Sequence, residues 1–249
     1  MMIQTTTAMA TVTPCGPAGI KIFADGASVA DFVRLHDEGR VTGFTTNPTL
    51  MRKAQVTDYE GFAKELLAQI TDMPISFEVF SDELEEMERQ ARKIASWGDN
   101  IFIKIPITNT RGESTLPIVR RLSHDGVKVN VTAILTLPQV AATLEALDPQ
   151  TPAIVSVFAG RIADTGVDPM PIMRAAVAMA ASRPKAEVLW ASVREALNIY
   201  QAEACGCHIV TSTPDVLKKM EMGGKDLEAL SLETVAMFRQ EAVQAGYTL

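Results

Sequence analysis

The run Ile101-Phe102-Ile103-Lys104-Ile105-Pro106 sets a lysine inside an otherwise apolar segment. In an extended strand alternate residues face opposite ways. The three isoleucines therefore share one face, and Phe102 and Lys104 share the other. A central strand of a parallel sheet is covered on both faces, so the ammonium there is taken out of water. Lysine is almost never fully buried without a partner. Two readings fit this strand alone. In the structural one the stem snorkels out of the fold, or the charge pairs with a carboxylate such as Glu78. In the chemical one desolvation favours the neutral amine, which attacks a ketone carbonyl and forms a Schiff base. That chemistry needs proton carriers, and Asp25 and Glu78, at the ends of two other apolar runs, are the candidates. Each has a plainer reading as well: Asp25 as a helix N-cap ahead of Gly26-Ala27-Ser28, and Glu78 as a counter-ion.

These groups meet only if the strands that carry them lie side by side. From Ile20 onward, short apolar or β-branched runs alternate with longer amphipathic stretches. The expected strands are Ile20–Ala24, Val41–Phe44, Ile75–Phe80, Ile101–Ile105, Val127–Thr132, Ala153–Val157, Glu187–Ala191 and His208–Thr211. Between them the spacing is helical. Over Leu84–Trp97 the apolar residues recur at steps of three and four, with Asp82 as the expected N-cap and Glu85 and Glu86 in the first turn. Leu116, Val119 and Leu122 continue the pattern until Gly126 stops it, and Asp168-Pro169 opens a further helix ending near Pro184. Eight strand–helix units in roughly 230 residues match a closed α/β barrel, a (β/α)8 TIM barrel. The open doubly wound sheet usually carries G-x-G-x-x-G in its first turn, and Ala24-Asp25-Gly26-Ala27-Ser28 lacks it. An additional C-terminal helix, Leu232–Ala245, lies beyond the eighth unit, placed to cap the barrel or pack on a neighbouring subunit. Residues 1–19 are expected to form a loosely ordered lead-in, and 20–249 a single barrel domain.

Composition narrows the partners. The chain has 249 residues, 47% hydrophobic and 21% charged, which excludes a disordered acidic chain. Its net charge of -7 argues against a surface built to bind nucleic acid, while leaving room for a few arginines to hold a small anion. Residues 1–19 lack the basic and apolar regions of a signal peptide, and no stretch approaches a membrane span. Three cysteines, Cys15, Cys205 and Cys207, are too few for a disulfide framework and suit a reducing, cytoplasmic setting. Cys205-Gly206-Cys207 reads as core packing rather than a redox or zinc motif.

A barrel of this kind keeps its chemistry at the C-terminal ends of the strands. Those ends carry Asp25, Thr45-Thr46-Asn47-Pro48, Glu78, Lys104, Asn130 with Thr132, Ser156 with Arg161, Ser192 with Arg194, and Thr211. In this order, Thr45-Thr46-Asn47-Pro48, Ile103-Lys104-Ile105-Pro106, Asn130-Val131-Thr132, Ser156…Gly160-Arg161 and Ala191-Ser192-Val193-Arg194 resemble the transaldolases, from Asp25 to about Pro214. The resemblance implies a class I aldolase-type transferase with no metal and no organic cofactor. Such an enzyme moves a dihydroxyacetone unit from fructose 6-phosphate or sedoheptulose 7-phosphate to an aldose phosphate, in the pentose phosphate pathway.

By the same resemblance Lys104 is the Schiff-base lysine and Asp25 the group that takes the proton from the donor's C4 hydroxyl. Glu78 and Thr132 hold a catalytic water. Asn47, Asn130 and Ser156 contact the dihydroxyacetone unit, and Arg161, Ser192 and Arg194 clamp the phosphate. Guanidinium groups suit that last task, since they offer bidentate donors to phosphate. Without the resemblance, either arginine reads equally as half of a surface salt bridge. Three features depart from the family's usual pattern: Gly26 after Asp25, Trp190 before Ala191, and Ala133-Ile134-Leu135 following Thr132 with no extra polar group; all are expected to bear on substrate size or donor identity. The fructose-6-phosphate aldolase branch is the nearest alternative. It tends to carry Gln at Glu78 and Tyr at Phe158 and to lack the arginine seen here as Arg194, so all three positions favour transfer. A transaldolase of sulfonated sugars and a catalytically silent barrel complete the alternatives. The family also implies a homo-oligomer, with the C-terminal helix as the place of contact.

Overall fold

Eight short strands form one sheet that closes on itself. The computed structural model describes residues 19–249, so the lead-in expected over residues 1–19 lies, but for Gly19, outside the described residues, as does Cys15. Along the chain run β1 (Lys21–Asp25), α1 (Val29–Asp37), β2 (Gly43–Thr45), α2 (Pro48–Lys53), α3 (Tyr59–Gln69), β3 (Ile75–Glu78) and α4 (Leu84–Ala95). Then follow β4 (Ile101–Pro106), α5 (Leu116–His124), β5 (Val129–Ile134), α6 (Leu137–Ala146), β6 (Ala153–Val157), α7 (Ala159–Asp164) and α8 (Met170–Ala180). The last elements are β7 (Ala186–Trp190), α9 (Leu197–Ala204), β8 (Ile209–Ser212), α10 (Pro214–Lys219) and α11 (Leu227–Gln244). All eight strands are parallel, and β8 pairs with β1 to complete a closed barrel. No helix among the described residues is long and apolar enough to cross a membrane.

The two faces of each strand go to two different cores. Ile101, Ile103 and Ile105 pack outward with Phe44, Phe77, Val131 and Val155 beneath the helices. Phe23, Ile154, Leu189 and Ile209, with Phe102 against them, form a separate cluster that fills the barrel's interior. Gly43 makes this filling possible, because a Cβ there would lie 2.6 Å from the Phe23 ring. One end of the barrel carries a Lys21–Glu187 ion pair at 2.8 Å. The polar ends of the strands are left to line the opposite mouth.

Boundaries moved where tertiary contacts took over. β2 begins at Gly43 rather than Val41, because Gly43, Phe44 and Thr45 are the residues in register with Phe23, Ala24 and Asp25. β5 runs on to Ile134 through a bulge: Val131 pairs with Val155, but the next pair is Ile134 with Val157. The extra residue, Ala133, sits at φ 60°. A bulge reverses the alternation. Thr132 faces the cavity with Asn130, as alternation requires, and the extra residue after it sends Ile134 outward, fully buried. Asp82 is not the N-cap of α4. Glu83 occupies that position without a side-chain bond, and Asp82 instead accepts the Thr110 N–H at 2.7 Å in the loop after β4. The helix after Asp168-Pro169 stops at Ala180, short of Pro184. Cys205 and Cys207 are buried free thiols, the latter pushed up to about 12 by burial. α11 starts five residues before the expected Leu232, where Asp226 caps it by accepting the Ala229 N–H. None of its residues is buried within the chain, and Leu232 and Phe238 are largely exposed.

Candidate active site

Lys104 is 6% exposed although it lies near the mouth of the barrel. Its Nζ donates to the Thr46 carbonyl at 2.7 Å and lies 3.0 Å from Glu78 Oε2. The pairing follows from register, since β3 and β4 set Glu78 directly opposite Lys104. Glu78 is therefore the lysine's counter-ion, as the structural reading of the sequence allowed, and it sits in the same cavity as every other candidate. Asp25, Asn47, Glu78, Lys104, Asn130, Thr132, Ser156, Arg161, Ser192 and Arg194 all line one cavity of about 400 Å³. It opens where the strands end.

Asp25 is not the cap of α1. Ser28 performs that task by accepting the Asp31 N–H at 3.2 Å, leaving the carboxylate of Asp25 free to face inward. It accepts from Thr45 Oγ1 at 2.9 Å and from Asn47 Nδ2 at 3.2 Å. Since Thr45 gives its proton to Asp25, Thr211, 2.6 Å away, donates to Thr45. Burial pushes the Asp25 carboxyl above the ordinary aspartate range, against the pull of the Lys104 charge and the Thr45 bond. A carboxyl so placed can pick up a proton more readily than one in water. Asn47 has a second duty as N-cap of α2, where Oδ1 accepts the Leu50 N–H at 3.0 Å ahead of Pro48.

Beside the lysine, Asn130 is held from both ends. Its Nδ2 donates to Ser76 Oγ at 3.1 Å, and its Oδ1 accepts from Ser156 Oγ at 2.6 Å. This fixes the amide's orientation and leaves one N–H and one lone pair for a ligand. Thr132 is 2% exposed, and its hydroxyl finds no protein partner among the described residues.

The two arginines differ. Arg194 is paired with Asp164 of α7, whose Oδ1 accepts from Nε at 3.2 Å. Arg161, on the same helix, has no carboxylate partner among the described residues. The surface-pair reading thus fits Arg194 and fails for Arg161. Ser192 adopts φ 66°, unusual for a residue with a side chain. Gly160 explains how closely the two segments approach, because a Cβ there would stand 1.6 Å from the Ser192 carbonyl oxygen.

The family model described as Transaldolase/Fructose-6-phosphate aldolase matches residues 22–248. The chain belongs to this family. A "Probable transaldolase" of Dehalococcoides mccartyi is 34% identical over 202 residues, covering 81% of this chain and 90% of that protein. A "Probable transaldolase 2" of Listeria monocytogenes is 34% identical over 202 residues, covering 81% and 88%. A "Probable transaldolase" of Streptococcus equi subsp. zooepidemicus is 35% identical over 204 residues, covering 81% and 90%. The protein is thus an enzyme, a transferase of transaldolase type. Among solved structures, KGPDC from Streptococcus mutans aligns with a TM-score of 0.54 at 11% identity, over 80% of this chain and 90% of that one. That likeness shows the shared barrel fold alone.

The departures from the transaldolase pattern at Gly26 and Trp190 have local explanations. Trp190 is 1% exposed and packs on the outer face of β7, so it does not line the cavity. A Cβ at Gly26 would lie 2.8 Å from the Phe32 ring, so glycine there answers to α1 packing. Ser76, Thr45 and Thr211 join the site as partners of Asn130 and Asp25. Thr45 and Thr211 were visible as strand-end hydroxyls. Ser76 belongs to the interior layer beneath the strand ends and carried no such signal.

Proposed function

We propose that this transaldolase-type enzyme transfers a dihydroxyacetone unit from a ketose phosphate to an aldose phosphate through an imine on Lys104. One observation carries the reading: a buried lysine in register with one carboxylate shares its cavity with a second carboxylate whose proton affinity burial has raised. The neutral amine adds to the donor's C2 carbonyl, and loss of water from the carbinolamine gives the imine. Glu78 and Thr132 carry the water and protons of that step. Asp25 then takes the proton from the C4 hydroxyl as the C3–C4 bond breaks. The bonding pair moves into the protonated imine and leaves an enamine on Lys104. The aldose phosphate's aldehyde is attacked by this enamine, and hydrolysis returns the lysine.

Asn47, Asn130 and Ser156 contact the dihydroxyacetone hydroxyls in this reading, and Arg161, Ser192 and Arg194 receive the phosphate. For Arg194 that means exchanging or sharing its pairing with Asp164. Transfer is favoured over simple cleavage by Glu78, Phe158 and Arg194, all of which line the cavity. The reading extends to the pentose phosphate pathway, a cytoplasmic setting and a homo-oligomer. The buried free thiols suit such a setting, and the exposed apolar residues of α11 suit such contacts.

Borohydride reduction in the presence of fructose 6-phosphate tests the chemistry. Lys104 is expected to gain the mass of one reduced three-carbon unit, and Lys104→Met none. A wild-type protein left unmodified refutes the imine. Product formation that requires erythrose 4-phosphate identifies transfer, and release of free dihydroxyacetone without an acceptor identifies cleavage.

A further inference from the structure

We infer that Tyr59, which lies outside the cavity on α3, is a positioning residue for Lys104. The inference rests on the imine reading above. It starts from a missing rung in the sheet. Between β2 and β3 the parallel ladder runs regularly, with Phe44 N–H donating to Pro74 O at 2.9 Å and Thr46 N–H to Ser76 O at 3.1 Å. Two residues further on, the repeat calls for Glu78 N–H to donate to the Thr46 carbonyl. It does not. Glu78 N–H donates to the Tyr59 hydroxyl at 2.9 Å, and the same hydroxyl donates to the Glu78 carbonyl at 2.9 Å. The Thr46 carbonyl, released from the ladder, accepts the Lys104 ammonium at 2.7 Å.

The phenol thus takes the place that β2 vacates as Asn47 and Pro48 turn the chain into α2. A buried backbone N–H demands a partner. Without the hydroxyl the available acceptor is the carbonyl that now holds the lysine. Glu78 N–H and Lys104 Nζ would then share one oxygen, which loosens its hold on the amine, and the Glu78 backbone would shift toward β2, carrying its carboxylate with it. Both polar partners of the amine therefore depend on one phenol. The Tyr59 ring is held for this task by edge contacts with Phe77 and Phe80, at centroid distances of 6.2 and 5.5 Å, and a tilted contact with Trp97 at 6.3 Å.

Tyr59→Phe removes the hydroxyl and keeps the ring. Displacing a reacting group by about 1 Å costs up to roughly 100-fold in rate, so kcat and borohydride trapping are expected to fall by about 10- to 100-fold. KM for fructose 6-phosphate stays near wild type, because the substrate contacts are untouched, and the pH profile of trapping changes as the amine's partners loosen. Trp97→Phe perturbs the same aromatic cluster without touching the hydroxyl, and is expected to lower Tm while leaving kcat and the pH profile alone. Should Tyr59→Phe fail to fold, a trifluorotyrosine placed at position 59 keeps the ring and weakens the hydroxyl as an acceptor; it is expected to slow trapping severalfold.

A Tyr59→Phe protein with wild-type kcat and pH profile overturns the inference. So does one that loses Tm alone, or a trifluorotyrosine protein that traps at the wild-type rate. If wild type traps the donor and these variants match it, only the positioning role is lost. If wild type itself never traps, the imine reading and this inference fall together.

Discussion

Gly160→Ala tests whether the loop after β7 and the start of α7 act as one anion clamp. The new Cβ would stand 1.6 Å from the Ser192 carbonyl oxygen, and real Cβ contacts essentially never come below 3.0 Å. One of the two segments must therefore withdraw by roughly 1.4 Å, and the obstacle is backbone, so no rotamer change relieves it. Arg161 follows Gly160 directly, and Ser192 and Arg194 flank the displaced carbonyl, so the three proposed phosphate partners move apart. Lys104, Glu78 and Asp25 come from the other side of the barrel and keep their places. Misplacement on this scale costs up to about 100-fold, or about 2.7 kcal/mol of transition-state binding. The loss is expected mainly in KM for fructose 6-phosphate. Trapping with dihydroxyacetone, which has no phosphate, should be nearly unchanged. The assay is a comparison of the two ligands on folded protein, checked by circular dichroism. An unaltered KM for fructose 6-phosphate refutes the clamp. An equal loss with both ligands shows a general disturbance and refutes it too.

Asp25→Asn should trade activity for stability. A carboxyl whose folded value is raised contributes stability below the ordinary aspartate range, near ~3.9, and loses it as pH rises through the folded value. The variant is therefore expected to be more stable than wild type at pH 7, with the gain shrinking as pH falls toward 4, while turnover drops by roughly 10²- to 10⁴-fold. Urea midpoints at the two pH values check the first part, and a gain independent of pH contradicts it. Trp190→Phe should leave KM unchanged, because the indole faces away from the cavity. It should cost about 1–2 kcal/mol in a urea titration, below the ~3–5 kcal/mol of a truncation to alanine, since a buried Nε1–H with no partner among the described residues is removed with the lost volume. A changed KM would return Trp190 to substrate selection.

Local pattern was enough for the architecture. Eight apolar runs separated by helical spacing give a count that does not depend on where each strand starts, and the order of polar residues at strand ends survives errors of two residues. The strand carrying Lys104 could be read face by face, because strict alternation divides Ile103 and Ile105 from Lys104 by geometry alone. Ser192 and Arg161 were also legible as strand-end groups, and both line the cavity. Asp82 departs from its local pattern, because this good capping residue is claimed by Thr110 from a loop 28 positions away.

What closure of the barrel decided is which side chains meet. The bulge at Ala133 turns Ile134, which strict alternation would set inside beside Asn130 and Thr132, to the outer core, an inversion produced by one residue's positive φ, with no glycine to mark it. Arg161 and Arg194 look alike in sequence, and only packing gives one of them a carboxylate. Tyr59 lies on a helix 45 positions before Lys104 and reaches it through two backbone groups, so no motif links them. Side-chain periodicity is a property of neighbours along the chain and is written in the sequence. A hydrogen bond between distant residues exists only once the sheet has closed and the chain's entropy has been lost, and it is there that the surroundings of Lys104 are set.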